Sequence, residues 1–407
     1  MSNSLQIEFI NSPHGVYFPG QIVDGRVVLN SEETIKARFL KVCIHGSAET
    51  HWSESERRSR TNSEGKFENF TEHVKFASKI DYLNAETVVW TCADGSNKLP
   101  RGMHIFEFKF QLPIGLPPSF EGFHGHIRYS IHVELDRVWS WNKKTKKCFS
   151  VIPIFDLNQI PSAINPMVNT ISKNMGLVFK KGLISMTVNL PKRGFVAGES
   201  IQILANIQNQ TKLEIIQIRA KLMQLSTYQA ARGHHFAKKH EDKQVAETRQ
   251  QLHICGKAAQ QLALNLRVPA CVPSFTNCPI LSVEYFLSVK IDVNKLMGST
   301  LKCEFPIIIG TMPVVGPLAT QVIPVAATQM VPGYPVAQEA APSAPSAPPS
   351  YPSAPLPSAP EAYSQNPPSY EEATGNTVKG EDFGAFAPRY PVFNNLPLPT
   401  APPMEKM

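Results

Sequence analysis

The sequence lacks any run of about 18 apolar residues, so it predicts no transmembrane helix. Its first five residues, Met-Ser-Asn-Ser-Leu, show neither the basic nor the apolar part of a secretory signal. Residue 2 is serine, whereas N-myristoylation requires glycine at that position. These absences predict a cytoplasmic protein whose contact with a membrane would be peripheral.

Signatures of catalysis and of bound cofactors are also absent. The sequence has no phosphate-binding P-loop, no GxSxG, no HExxH and no GxGxxG after a strand. The seven cysteines form no CxxC pair, and without a secretory signal they are expected to be reduced thiols. His234, His235 and His240 stand in a polar, glycine-containing stretch that favours a solvated hairpin loop over a metal site. The sequence therefore predicts no enzyme, no metal and no cofactor.

Proline and charge are unevenly distributed along the chain. Of the 35 prolines, 21 lie in residues 313–407, and that tail has a net charge of −4. Residues 1–312 carry +11, which favours anionic surfaces or phosphorylated partners, but the basic residues are not patterned for binding nucleic acid. The low apolar density of the tail predicts that it is disordered.

Residues 1–312 show the period-2 alternation of half-buried strands. Apolar side chains alternate at Leu40, Val42 and Ile44, and clusters rich in proline, glycine and asparagine interrupt such stretches. Strands that bury one face suit a two-sheet sandwich with a solvated outer face. The sequence therefore predicts an all-β body.

The body also contains two weak internal repeats. The strand pattern at 127–133 recurs in the second half at 283–289, and each copy follows a Pro-Ser-Phe turn. The turn at Gly20 recurs at Gly198. Two copies so far apart predict two similar domains rather than a solenoid, whose repeats are ~20–50 residues long.

The longest motif lies in residues 99–137. Phe106, Phe108 and Phe110 alternate in it and are expected to fill a sandwich core, and a Pro-Pro-Ser-Phe turn follows them. The motif strongly resembles the N-terminal domain of the α-arrestins, and the run at 272–285 fits the second domain of that family. The resemblance implies two tandem arrestin-like (immunoglobulin-like) β-sandwiches that serve as a binding scaffold.

The resemblance and the composition together divide the chain into four parts. We assign residues 1–157 to an arrestin N-terminal domain and 158–176 to a linker. Residues 177–312 are assigned to an arrestin C-terminal domain, and 313–407 to the disordered proline-rich tail.

Two PPxY motifs stand in the tail. Proline restricts φ to about −65°, so each segment is already close to polyproline II and loses little entropy on docking. A WW domain offers an aromatic groove to the prolines and a separate pocket to the tyrosine ring. In α-arrestins this motif recruits HECT-type ubiquitin ligases through their WW domains. The predicted WW-binding residues are Pro348, Pro349, Tyr351, Pro367, Pro368 and Tyr370.

The tail also contains P[ST]AP tetrapeptides, which resemble the late-domain motif read by the UEV domain of ESCRT-I. Serine copies at 342–345, 345–348, 352–355 and 357–360 are also explained by low complexity. An isolated threonine copy is not, and it is formed by Pro399, Thr400, Ala401 and Pro402. Tyr390-Pro-Val-Phe393 resembles a YPx-type late motif only in part.

A basic run follows Trp139 and Trp141 in the first domain. It is formed by Lys143, Lys144, Lys146 and Lys147. Such a run is usually a solvated turn. The alternative is an anionic-lipid patch, in which each basic residue near the membrane contributes about 1 kcal/mol.

These features predict a trafficking adaptor. The sandwiches would bind transmembrane cargo or receptors at the plasma membrane and endosomes, and the tail would bring the ligase that ubiquitylates the cargo for endocytosis or endosomal sorting. Two alternatives stay open. One is a vesicle-budding factor that recruits ESCRT-I. The other is a redox-linked regulator, because one α-arrestin branch pairs a cysteine with thioredoxin.

Overall fold

A computed structural model describes residues 4–61, 63, 66–92, 95–175, 182–294, 300–315 and 386–392. Regular structure in these residues is almost entirely β, and two short 3-10 helices occupy Leu157–Gln159 and Pro161–Ala163. None of the described residues forms a helix long and apolar enough to cross a membrane. The predicted all-β class is confirmed.

The first sandwich is built from ten strands. They are β1 (Ser4–Phe9), β2 (Val16–Tyr17), β3 (Ile22–Ser31), β4 (Ile35–Thr61), β5 (Phe67–Thr91), β6 (Lys98–Leu99), β7 (Gly102–Gln111), β8 (Phe120–Gly122), β9 (Gly125–Arg137) and β10 (Lys143–Val151). One sheet has the order β1-β3-β7, and the other contains β5-β4-β9-β10-β2. Their buried faces meet where Phe9 of β1 contacts Phe149 of β10, with ring centroids 6.0 Å apart.

The second sandwich repeats this plan. Its strands are β11 (Met167–Met175), β12 (Gly182–Leu190), β13 (Gly194–Val196), β14 (Ser200–Asn209), β15 (Ile215–Arg232), β16 (His235–Ile254), β17 (Ala258–Arg267), β18 (Phe275–Cys278), β19 (Leu281–Val293) and β20 (Thr300–Gly310). One sheet has the order β11-β12-β14-β17, and the other contains β13-β20-β19-β15 with β16 paired to β15. Two β-sandwiches are therefore present, as the sequence predicts.

The internal repeat is visible in matching hydrogen bonds. The hydroxyl of Tyr129 donates to the carbonyl of Pro117 over 2.8 Å, and the hydroxyl of Tyr285 donates to the carbonyl of Val272 over 2.6 Å. A buried phenol needs such a partner, because burying an unpaired hydroxyl is costly. Each tyrosine thus fixes the turn that precedes its own strand in the same way.

The glycine turns also match. Gly20 has φ 84° and Gly198 has φ 93°, a region that residues with a Cβ rarely adopt. In the first turn the side chain of Gln21 accepts from the backbone of Phe18, and in the second the side chain of Glu199 accepts from that of Val196. These contacts explain why the motif recurs in both domains.

Two long hairpins, β4–β5 and β15–β16, join the sandwiches. Ala77 of β5 bridges Ala231 of β15, so a single sheet path runs through both domains. The hydroxyl of Thr50 donates to the carbonyl of Gln229 over 2.7 Å. The two sandwiches therefore contact each other through these hairpins as well as through the chain segment that connects them.

The covalent connection is shorter than the predicted linker at 158–176. Asp156 caps the first 3-10 helix by accepting from the backbone of Asn158 over 2.9 Å. Residues Met167–Met175, which sequence analysis places in the linker, form β11 and pair with β12 in the second sandwich. Residues 177–181 lie outside the described residues. Most of the predicted tail at 313–407 also lies outside them, since the structure describes only 313–315 and 386–392 of it.

Candidate functional site

The tail motifs lie outside the described residues. This applies to both PPxY motifs and to the P[ST]AP copies, including the one at 399–402. The structure describes three other candidate surfaces, which are the basic run on β10, a polar hollow beside it and an apolar cleft between the sandwiches.

The basic run lies on β10, where successive side chains point to opposite faces of the sheet. Lys144 and Lys146 share one face, and Lys143 and Lys147 share the other. Lys144 forms an ion pair with Glu134 over 3.1 Å. Lys147 donates to the carbonyl of Ile7 over 2.9 Å. The four lysines therefore do not form one surface.

The turn between β9 and β10 carries the most exposed aromatic side chains near this run. Trp139 is 97% exposed and Trp141 is 94% exposed. Lys143 and Lys144 begin the strand that follows. Partial burial and, to a smaller extent, the charge of Arg137 lower the pKa of Lys143. Two indoles beside basic residues resemble the composition found at membrane interfaces.

A polar hollow of about 450 Å³ lies on the Lys144 face. Its lining includes Lys41, His45, His132 and Lys146. Burial, helped by Lys146 and His45, lowers the pKa of His132 to about 4. His132 is therefore neutral at neutral pH. The hollow also contains Glu86 and Glu134, which form ion pairs with Lys41 and Lys144, so its charges are largely balanced.

An apolar cleft of about 620 Å³ opens between the two sandwiches. The first sandwich contributes Ile114, which is 92% exposed, and the second contributes Phe275 and Ile307. Asn277 donates to the carbonyl of Gly115 over 3.0 Å and holds the rim together. Sequence reasoning missed this cleft because its two walls come from different domains and are far apart in the chain.

The histidine stretch lies in the β15–β16 hairpin. His234 and His235 lie at the tip of the β15–β16 hairpin, beside Gly233 with φ 59°. His240 instead lies within β16, where its Nδ1 is 3.0 Å from the hydroxyl of Thr227. No group of three or more metal-ligating side chains occurs in the described part of the chain.

The cysteines are all free thiols. Cys271, Cys278 and Cys303 are buried, whereas Cys255 is exposed at the turn after β16. Burial raises the pKa of Cys271 to about 12, which makes it a poor nucleophile at neutral pH. Exposure therefore distinguishes Cys255 from the other six, a difference that the sequence alone does not reveal.

One tail segment is described, and sequence reasoning missed its position. Residues 386–392 lie against the body, and Tyr390 is only 2% exposed. The sequence does carry one signal for this position: Tyr390 lies between two prolines, Pro388 and Pro391, which restrict the backbone.

Comparison with known proteins agrees with this architecture. Residues 5–158 match the family model described as arrestin (or S-antigen), N-terminal domain, and residues 180–314 match that of the C-terminal domain.

Individual relatives match along most of their length. Arrestin domain-containing protein 4 of the mouse is 28% identical over 392 residues, which cover 95% of this chain and 85% of the relative. Arrestin domain-containing protein 17 of Caenorhabditis elegans is 28% identical over 313 residues, covering 74% of this chain and 69% of the relative. The pig protein named thioredoxin-interacting protein is 27% identical over 316 residues, covering 76% and 74%.

Proposed function

Because the chain belongs to the arrestin family, in its α-arrestin branch, and has that family's adaptor role, we propose that it links transmembrane cargo to HECT-type ubiquitin ligases. The sandwiches bind the cargo, and the tail binds the WW domains of the ligase. Cargo is then ubiquitylated and enters endocytosis or endosomal sorting.

The two PPxY motifs are the observation that carries this proposal. Each places two prolines before a serine and a tyrosine, at 348–351 and at 367–370. The prolines match an aromatic groove and the tyrosine a separate pocket, so this order of residues suits a WW domain. Glu371 and Glu372 extend the second motif with charges that complement basic residues beside such a groove.

A double substitution tests the ligase link. Tyr351→Ala with Tyr370→Ala removes both rings that fill WW pockets and leaves the prolines in place. Co-purification of the full chain with a WW-containing ligase, and ubiquitylation of its cargo, should both be lost. Tyr363→Ala is the matched control, because Tyr363 lies between the motifs and no Pro-Pro pair directly precedes it. A double variant that still captures the ligase would remove this proposal.

Peripheral membrane contact fits the same role. The exposed Trp139 and Trp141, followed in the chain by Lys143, form a tip that suits the surface of an anionic bilayer, whereas Lys144 is paired with Glu134. In this arrangement the first sandwich lies on the plasma membrane or endosome, where the cargo is. The proposed tip uses only part of the basic run, since the Lys147 ammonium is bound to the carbonyl of Ile7.

A budding role is the second candidate, and the isolated Pro-Thr-Ala-Pro at 399–402 favours it. The motif would bind the UEV domain of ESCRT-I, so that the protein itself leaves the cell in vesicles. Thr400→Ala with Pro402→Ala should then reduce ESCRT-I binding and release in vesicles while ligase binding is unchanged. Unchanged release would reject the budding role.

A third candidate is binding to thioredoxin, which the exposure of Cys255 favours. A mixed disulfide requires an accessible thiol, and the other cysteines are buried or partly buried. The probe is a thioredoxin variant that lacks its resolving cysteine and carries its remaining cysteine as a mixed disulfide with a small thiol. The Cys255 thiolate should attack the thioredoxin sulfur and release the small thiol, so that the full chain is captured, and Cys255→Ser should prevent capture. Capture that does not depend on Cys255 would reject this site.

A further inference from the structure

A short piece of the tail returns to the body and fills the boundary between the sandwiches. Residues 386–392 are described, whereas residues 316–385 before them are not. Pro388 and Tyr390 are buried, and Tyr390 belongs to the largest fully buried side chains among the described residues. A tyrosine in a polar, proline-rich tail therefore reaches the same burial as the core tyrosines.

The first sandwich supplies the polar contacts of this segment. The Tyr390 hydroxyl donates to the carbonyl of Ser119 over 2.7 Å. The backbone N–H of Arg389 donates to the hydroxyl of Ser150 over 3.0 Å, and its guanidinium lies 3.4 Å from Nδ1 of His14. These bonds fix both the ring and the direction of the backbone, so the position is specific rather than a loose apolar contact.

The second sandwich supplies the opposite wall. Tyr390 and Pro391 border a small void together with Ile152 at the end of the first domain and with Ala197, Cys271 and Thr311 of the second. The void measures only about 10 Å³, no more than about the space that one water molecule needs. The segment therefore contacts both domains at once.

The chemistry of the segment suits a docking peptide. Burial of the aromatic ring provides the apolar contact, and the hydroxyl has a backbone partner in the pocket. Pro388 and Pro391 restrict the chain on both sides of the tyrosine, so little conformational entropy is lost when it docks.

We infer that the boundary between the sandwiches is a binding site for a proline-flanked tyrosine peptide, and that the chain's own residues 388–391 fill it. We call this segment the latch. Because it contacts both domains, the latch favours the relative position of the sandwiches seen here. In the sequence, both PPxY motifs lie between the body and the latch.

Occupation of the site in cis has a consequence for the partial YPx motif. Tyr390 is the first residue of that motif, and its ring is buried in the docked state. A protein that reads Tyr390-Pro-Val-Phe393 must therefore first displace the latch. The Pro-Thr-Ala-Pro at 399–402 lies beyond the latch, on the C-terminal side.

Peptide binding to the full chain tests the inference. The probe is a fluorescein-labelled peptide of residues 385–393, and its anisotropy is measured with wild type and with Tyr390→Ala. Wild type should bind weakly because its site is occupied. Tyr390→Ala, with an empty site, should bind at least about tenfold more tightly, since occupation above roughly 90% raises the apparent Kd by that factor.

Controls distinguish binding at this site from nonspecific binding of the peptide. A peptide with alanine at the tyrosine position should bind neither protein, and the Tyr363→Ala chain should behave as wild type. Equal affinity of wild type and Tyr390→Ala for the probe would overturn the inference, as would failure of a folded Tyr390→Ala chain to bind. Circular dichroism checks the fold, and the ligase assay reports separately on the adaptor function.

A milder variant provides a second measurement that does not depend on an empty site. Tyr390→Phe keeps the ring but removes the bond to Ser119, so the latch should open more often. Trypsin should then cleave after Arg389 faster than in wild type. Equal cleavage rates in the two chains would show that the Tyr390 hydroxyl does not hold the segment, which contradicts the proposed site.

Discussion

His126 illustrates how burial sets the charge state of a single side chain. It lies in β9 with 15% of its side chain exposed, and its Nε2 is 3.8 Å from a carboxylate oxygen of Glu49. Burial, together with the charge of Arg128, lowers the pKa of His126 to about 4, and Glu49 offsets this only in part. The folded protein therefore holds a neutral ring at neutral pH.

The lowered pKa predicts acid sensitivity. An unfolded histidine has a pKa near 6.5, so between about pH 6.5 and pH 4 the unfolded chain binds the proton that the folded chain does not. The stability contributed by the neutral ring is present above this window and is lost as the pH falls through it. We expect His126 to reduce the free energy of unfolding by about 1–2 kcal/mol between pH 7 and pH 5.

Urea unfolding at the two pH values measures this loss. His126→Gln should make the drop between pH 7 and pH 5 smaller by about 1–2 kcal/mol, because glutamine does not titrate. His235→Gln, at an exposed hairpin tip, should leave the wild-type drop unchanged. The same drop in His126→Gln as in wild type would show that other groups cause the acid sensitivity.

At the scale of single strands, the alternation of apolar residues correctly predicts which side chains are buried wherever a sheet has one buried face. Leu40, Val42 and Ile44 are all buried in β4, as their spacing predicts. The distal half of β4 was not predictable in this way, since residues beyond Trp52 carry charged side chains and no apolar face. The strand continues there because it pairs with β5, and this pairing leaves no signal in local hydrophobicity.

The basic run shows that a local sequence pattern can also suggest a surface that the structure does not form. Four lysines close together in sequence suggest one charged surface, but a strand sends neighbours to opposite faces. Lys143 and Lys144 follow the exposed tryptophans in the chain but point to opposite faces of the sheet. The proposed membrane contact therefore depends on the β9–β10 turn and not on the number of lysines.

The turn is predicted to bind anionic membranes. Trp139→Ala with Trp141→Ala should weaken binding of the full chain to phosphatidylserine-rich vesicles by about tenfold or more, because interfacial indoles contribute apolar contact that salt does not screen. Ile114→Ala, which removes an equally exposed apolar side chain elsewhere, is the matched control. Vesicle sedimentation at low salt measures the apolar and electrostatic contributions to binding together, and sedimentation at high salt measures the apolar contribution.

The outcome separates the two interpretations of the basic run. If the tryptophans anchor the turn, wild type retains some binding at high salt and the double variant retains none. Equal sedimentation of wild type and the double variant at both salt concentrations would show that the run is only a solvated turn.

At the scale of the whole molecule, the division between body and tail follows from composition, whereas the contacts between parts do not. Each sandwich buries a pattern that its own sequence carries. The bridge between Ala77 and Ala231 and the burial of Tyr390 join segments that are distant in the sequence. No local pattern specifies such contacts, because they depend on how two finished surfaces meet.

The spacing of the PPxY motifs leads to the last prediction, which concerns avidity. Tyr351 and Tyr370 both lie outside the described residues, so their separation is taken from the sequence. A random coil of roughly 20 residues, which is close to this separation, has a root-mean-square span of roughly 25 Å. A ligase with several WW domains in tandem would then bind both motifs of one tail, with an effective concentration in the ~mM range for the second step.

Bivalent capture predicts different results for single and tandem WW domains. Calorimetry of a tail peptide containing both motifs should show weak, independent binding to one isolated WW domain and much tighter binding to a tandem array. Tyr351→Ala and Tyr370→Ala should each reduce binding to the array towards the single-domain value. The Tyr370 change should cost more, because Glu371 and Glu372 extend its site. Equal affinity for the single domain and the array would exclude bivalency while leaving each motif a WW ligand on its own.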